Sequence, residues 1–217
     1  MNGKKTLVAV VVTLLCVGMS AFAMTVAYTG ANNGELTYSD LTTQLNEGAY
    51  VALGNFGTMS DAAIAALGAS PTAVWAAFHV WDATAIDSTL TFSGGNGTAG
   101  GAFLNTHAYL IAFDTATFSS AGAVGVFKGP NVQTSDPDSS NPWIFPLTDT
   151  AVGITMDLAG VGSGGVLIGE YGYSTLNSDW AGGIVDAYGL ASVPEPSTIM
   201  LVGTGLLGLL AIRRRRS

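Results

Sequence analysis

From Met24 to Tyr188 the apolar residues come in short runs, many of them alternating, and Gly, Asn, Asp or Pro separates one run from the next. A helix needs a longer stretch of period 3.6 to bury a stripe, whereas short runs of period 2 describe strands. Strands are expected near residues 24–29, 49–53, 73–81, 89–93, 108–114, 123–127, 143–145, 152–157, 166–170 and 184–188. Two of these, around Val74–Trp81 and Ala108–Phe113, are apolar on both faces and read as central strands. Long helical crossovers are missing, which disfavours a parallel α/β sheet. The expected fold class is therefore all-β: an antiparallel β-sandwich, with the jelly roll as a compatible topology.

One stretch asks for a helix. Ser60 is an N-cap candidate, Asp61–Leu67 is rich in helix formers, Gly68 can close the helix and Pro71 is expected to block its continuation. A second helical turn is expected within residues 39–47. Residues 93–101, with five glycines, read as a flexible linker, and residues 134–142 as a polar, Pro-punctuated loop.

The two ends differ from the body. Lys4 and Lys5 precede an uncharged apolar stretch, and Ala21-Phe22-Ala23 supplies a small-x-small cleavage site, so residues 1–23 read as a secretory signal peptide cut after Ala23. An uncleaved anchor helix is the alternative. Cys16, the single cysteine, lies in this stretch after Leu15, which fits a lipidation site poorly. The exported body, residues 24–193, then has no cysteine and must hold itself together by its core.

Charge excludes several partners. Between residues 24 and 193 there are 14 acidic residues and one basic residue, Lys128, a net charge near −13. Neutralising phosphates takes Lys and Arg, so nucleic acid is excluded as an expected partner, and ion-pair recognition of acidic sugars is disfavoured.

Candidate chemistry is sparse. Asp136, Asp138 and Asn141 offer closely spaced oxygen ligands that could hold calcium, but their loop lacks the glycine and distal glutamate of an EF-hand, and Asp and Asn also build ordinary turns. His79 and His107 would both be needed, with a carboxylate, for zinc; His79 sits among tryptophans and reads as a packed, hydrogen-bonded residue. No metal and no cofactor is expected. No GxSxG elbow is present, and no carboxylate pair is singled out for glycosidase work, so the body is expected not to be an enzyme. Trp75, Trp81, Trp143 and Trp180 could stack on sugars or fill a core; Trp180, in a loop-like setting, is the candidate for a ligand surface.

The chain ends in VPEPSTIMLVGTGLLGLLAIRRRRS. Its Gly203–Gly208 stretch spells GxGxxG, but no strand precedes it and the chain stops nine residues later, so it is no dinucleotide site. The uncharged run 197–212 would span roughly 24 Å as a helix. It reads as a short transmembrane helix, with Arg213, Arg214, Arg215 and Arg216 as a cytoplasmic stop. The two prolines keep the stretch before it extended.

Pro194-Glu195-Pro196, the apolar run and the arginine cluster, in that order, resemble a PEP-CTERM sorting signal. The resemblance implies that Pro194, Glu195 and Pro196 are read by an exosortase, a membrane-embedded transpeptidase-like enzyme of Gram-negative bacteria that make extracellular polysaccharide. It implies a protein inserted in the cytoplasmic membrane by its C-terminal helix and then sent to the cell surface or outside. The expected role is structural or adhesive, linked to exopolysaccharide. A carbohydrate-binding module is the alternative, and a secreted hydrolase the third.

Overall fold

The structure, a computed structural model, describes residues 26–30, 34–97, 100–129, 143–145, 154–174 and 185–193. Its centre is a sheet in which β12 (Ala191–Ser192), β7 (Ala123–Lys128), β6 (Tyr109–Phe113), β3 (Tyr50–Asn55) and β4 (His79–Ala85) follow one another, and β9 (Val166–Ile168) also pairs with β7. All pairings in this sheet are antiparallel. Two three-stranded sheets accompany it: β5 (Ser93–Gly97), β1 (Val26–Thr29) and β8 (Ile154–Asp157), and β10 (Glu170–Ser174), β11 (Val185–Gly189) and β2 (Gly34–Thr37).

The large sheet is covered on both faces. Val51, Leu53, Leu110 and Phe127 point toward Tyr28 and Met156 of one small sheet and Leu36 and Tyr188 of the other. Ala52, Ile111, Phe113, Val124 and Val126 point the opposite way, against α1 (Asp61–Ala65) and α2 (Pro71–Ala77) through Ile64 and Val74. A strand sandwiched between two layers must be apolar at every position. That is why β6 and β7 are buried throughout and why both were readable as strands. The arrangement is mostly antiparallel and consistent with a β-sandwich, as expected. Two pairs depart from that pattern: β1 with β8 and β2 with β11 are parallel.

Several expectations need correction. The fold was expected to include a C-terminal transmembrane helix, yet no helix among the described residues is long and apolar enough to cross a membrane. Residues 194–217, and residues 1–23, expected to be a signal peptide, lie outside the described residues. The supposed central strand over 73–81 is a helix followed by an edge strand. Ser70 accepts the Ala73 amide at 3.3 Å as N-cap, and Pro71 occupies the first turn, so Pro71 starts a helix instead of blocking one. Pro71, Val74 and Phe78, spaced by three and four, are the buried positions, which is the helical period hidden in the run. β4, which follows, is largely exposed.

The first helix forms as expected: Ser60 accepts the Ala63 amide, and Gly68 follows with a φ of +63°. No helix forms at 39–47. Asp40 instead accepts the amides of Thr42 and Thr43 and the Thr43 hydroxyl, at 3.0, 2.9 and 2.6 Å, which closes a turn. The bond from the Thr43 hydroxyl, followed by those two amides, pulls the Asp40 carboxyl down to about 2. The glycine-rich linker begins as a strand: Ser93–Gly97 pairs with β1, and Gly94 lets Tyr28 lie where a Cβ would come within 2.5 Å of its ring. Residues 143–145 make only a bridge, Ile144 to His107.

Candidate functional site

The chain leaves the body at the border of the large sheet. β11 ends at Gly189, and Leu190, fully buried, carries the backbone across; its amide donates to the Thr37 carbonyl at 2.9 Å. β12 then pairs with the start of β7, Ala191 opposite Val124 and Ser192 opposite Ala123. The Val193 amide donates to the Gly122 carbonyl at 2.7 Å. Gly122 is itself held, since its amide donates to Asp114 Oδ1 at 3.0 Å. The body is thus hydrogen-bonded up to Val193, one residue before Pro194.

A second cluster surrounds Lys128, the only cation of the body. Its ammonium donates to Asp61 Oδ2 at 2.8 Å, and the Tyr109 hydroxyl donates to Asp61 Oδ1 at 3.1 Å. The Lys128 side chain is 8% exposed and that of Asp61 44%. Burial pushes the Asp61 carboxyl up, but the hydrogen bonds from Lys128 and Tyr109 outweigh it and leave the group below the usual carboxylate range. Burial, then the charge of Asp61, pushes the Tyr109 phenol up. His107, exposed nearby, is pulled down by partial desolvation and by Lys128, against the opposing effect of Asp61. Each Asp61 oxygen accepts one of these bonds, so this carboxylate pins α1 to β6 and β7.

His79 does not pack as expected; it is exposed at the start of β4. Among the described residues no three His, Cys, Asp or Glu side chains gather as a metal site. The tryptophans divide. Trp143 is 3% exposed and lies in the core. Trp81 packs on Phe145 at 5.6 Å. Trp75, on α2, stacks on Phe118 at 4.8 Å and 11°, and with Tyr50, Ala116 and Thr117 they line an apolar groove of about 220 Å³.

The exposed aromatic that sequence reading missed is Tyr173, 67% accessible on β10. It lies edge-on to Tyr171 at 5.6 Å and faces Asp186 across the pair β10–β11; the Tyr171 hydroxyl donates to Asp186 Oδ1 at 2.9 Å. The alternation Tyr171-Gly172-Tyr173 was the available signal, because it puts both rings on one face. Ala21, Ala23, Asp136, Asp138, Asn141, Trp180, Pro194, Glu195, Pro196 and Arg213, Arg214, Arg215 and Arg216 lie outside the described residues.

Residues 192–216 match the family model of the PEP-CTERM protein-sorting motif. No curated protein and no solved structure matches the chain. The motif marks an exported, surface-directed protein that an exosortase processes. The expected anchoring by a membrane-inserted helix is corrected here as in the fold, because no described helix is long and apolar enough for it.

Proposed function

We propose that this PEP-CTERM protein, an exosortase substrate, is a non-catalytic β-domain displayed at the cell surface or in the extracellular matrix, with a structural or adhesive role linked to exopolysaccharide. The observation that supports it is where the motif match meets the described sheets. The motif match begins at residue 192, inside β12, and among the described residues the last backbone hydrogen bond along the chain is made by Val193. Removal of everything beyond Val193 would cost the described sheets no pairing. In this reading Pro194, Glu195 and Pro196 are the residues the exosortase recognises. Replacing all three by alanine should leave the tail attached, read as a larger intact mass of the product isolated from its host. An unchanged mass and location would sink the sorting role of the tripeptide.

A second reading is carbohydrate binding, and Tyr173 with its neighbours favours it. An exposed ring beside a carboxylate offers a stacking face and a hydroxyl acceptor in one place, a combination suited to neutral sugars on a body of net charge near −13. Glycan-array binding that disappears in Tyr173→Ala supports this reading; binding that survives removes Tyr173 from it.

A further inference from the structure

The apolar groove beside Trp75 lies at the end of the large sheet where Val193 leaves it. Three half-buried rings form it: Tyr50 from β3, Trp75 from α2, and Phe118 from the 3-10 turn Phe118–Ser120 between β6 and β7. The rings hold one another, since Trp75 stacks on Phe118 and Tyr50 meets Trp75 edge-on at 5.7 Å. Ala116 and Thr117, both exposed, complete the lining. At about 220 Å³ the groove falls below the roughly 300–1,000 Å³ of a drug-sized ligand site and suits a short piece of chain.

The end of the described chain runs toward this groove. β12 is antiparallel to β7, so it travels toward the β6–β7 turn, and the Val193 amide reaches Gly122. One residue back, the Ala121 amide donates to the Phe118 carbonyl at 3.3 Å. Ala191 and Val193 are half-buried and Ser192 is exposed, the alternation of a strand. Ala191 packs against the same cluster as Trp75, Phe118 and Ala121, which puts Val193 on the face that carries the groove. Pro194 has no amide and cannot extend the ladder as a donor. Neighbouring strands lie about 4.8 Å apart, so the β6–β7 turn is roughly 5–10 Å from the line of β12. Three residues of polyproline II advance about 9 Å, enough for that crossing.

We propose that Pro194-Glu195-Pro196 docks in this groove of its own body, with proline rings against Trp75 and Phe118. Val193 and Glu195 each precede a proline, which favours an extended chain. Extended proline-bearing segments suit aromatic-lined grooves because their form is already set and little entropy is lost on docking. Proline also brings no N–H, so its burial against rings strands no donor. A second copy in the groove is disfavoured by the net charge near −13 on each body. The contact goes beyond the sorting role and does not rest on it. An exosortase would have to draw the tripeptide out of the groove.

Fluorine NMR of the full, unprocessed chain, labelled with 5-fluorotryptophan and held in detergent, tests this. Trp75→Phe identifies the Trp75 line. Pro194→Ala with Pro196→Ala should move that line and leave those of Trp81 and Trp143, which pack on the opposite face, in place. Phe118→Ala should speed hydrogen exchange at the Glu195 and Ser197 amides several-fold. No exosortase takes part, so the result is independent of processing: a moved Trp75 line with unchanged processing sinks the sorting role alone. A Trp75 line indifferent to both prolines overturns the proposal. So does a line that moves on dilution of the wild type, the mark of a second copy, or amide exchange that Phe118→Ala leaves unchanged. Should Phe118→Ala not fold, the proline variant decides alone, because its changes lie outside every described strand.

Discussion

Asp61 shows how much one side chain can organise in a body with a single cation. It begins α1, accepts from Lys128 67 positions away and from Tyr109 48 positions away, and so ties the helix to the sheet. Asp61→Ala would strand a nearly buried ammonium, at a cost of about 2 kcal/mol, a value discounted because Asp61 itself is half exposed. The pH dependence follows from the depressed carboxyl. A group whose folded pKa lies below its unfolded value, about 3.9 for Asp, stabilises the fold above that value and ceases to as pH falls through the folded pKa. Chemical denaturation should therefore show wild type and Asp61→Ala well separated at neutral pH and converging in acid. A gap that stays constant down to pH 2 would mean that the ion pair contributes nothing. Lys128 was visible in the sequence as an isolated charge. Its partner was not, because nothing local distinguishes Asp61 from the other acids.

At the level of elements, legibility followed burial. β3, β6 and β7 lie between two layers, so their apolar runs are continuous and no choice of face is needed. α2 was misread because Val74–Trp81 satisfies period 2 and period 3.6 together, and the cap decided between them. Ser70→Ala removes the side-chain acceptor for the Ala73 amide and should cost about 1 kcal/mol. Ser60→Ala removes the equivalent bond in α1, at a similar cost. Each should lower the unfolding midpoint by a few degrees. If Ser70→Ala has no effect, the turn is held by packing of Val74 and Phe78 alone. β2, β10 and β12 gave little warning: they are short, and their residues include Gly, Glu and Ser. Gly34 pairs with Asp186, a contact across some 150 residues that no local pattern encodes.

For the molecule as a whole, the last nine described residues, 185–193, serve two sheets in succession. β11 is the middle strand of one, Leu190 crosses the core, and β12 borders the other. A chain ending at Val193 should unfold cooperatively with the midpoint of the full body. One ending at Leu190 should be less stable and more prone to associate, because the start of β7 loses its partner and presents unpaired amides and carbonyls. Equal stability of the two would show that β12 is dispensable and that the body closes at Leu190.

The sequence by itself determined the destination and the strand-rich character. A sorting tail is a linear motif, and short apolar runs between turn residues are a local pattern; both are written in neighbouring residues. Tertiary structure decided the rest: which runs lie between layers, that β1 with β8 and β2 with β11 are parallel, that Lys128 belongs to Asp61, and that Glu35 is closed in beside Thr37. These depend on burial and on contacts between distant segments. A residue's charge is legible in the chain, but the loss of its water is known only when the layers close over it.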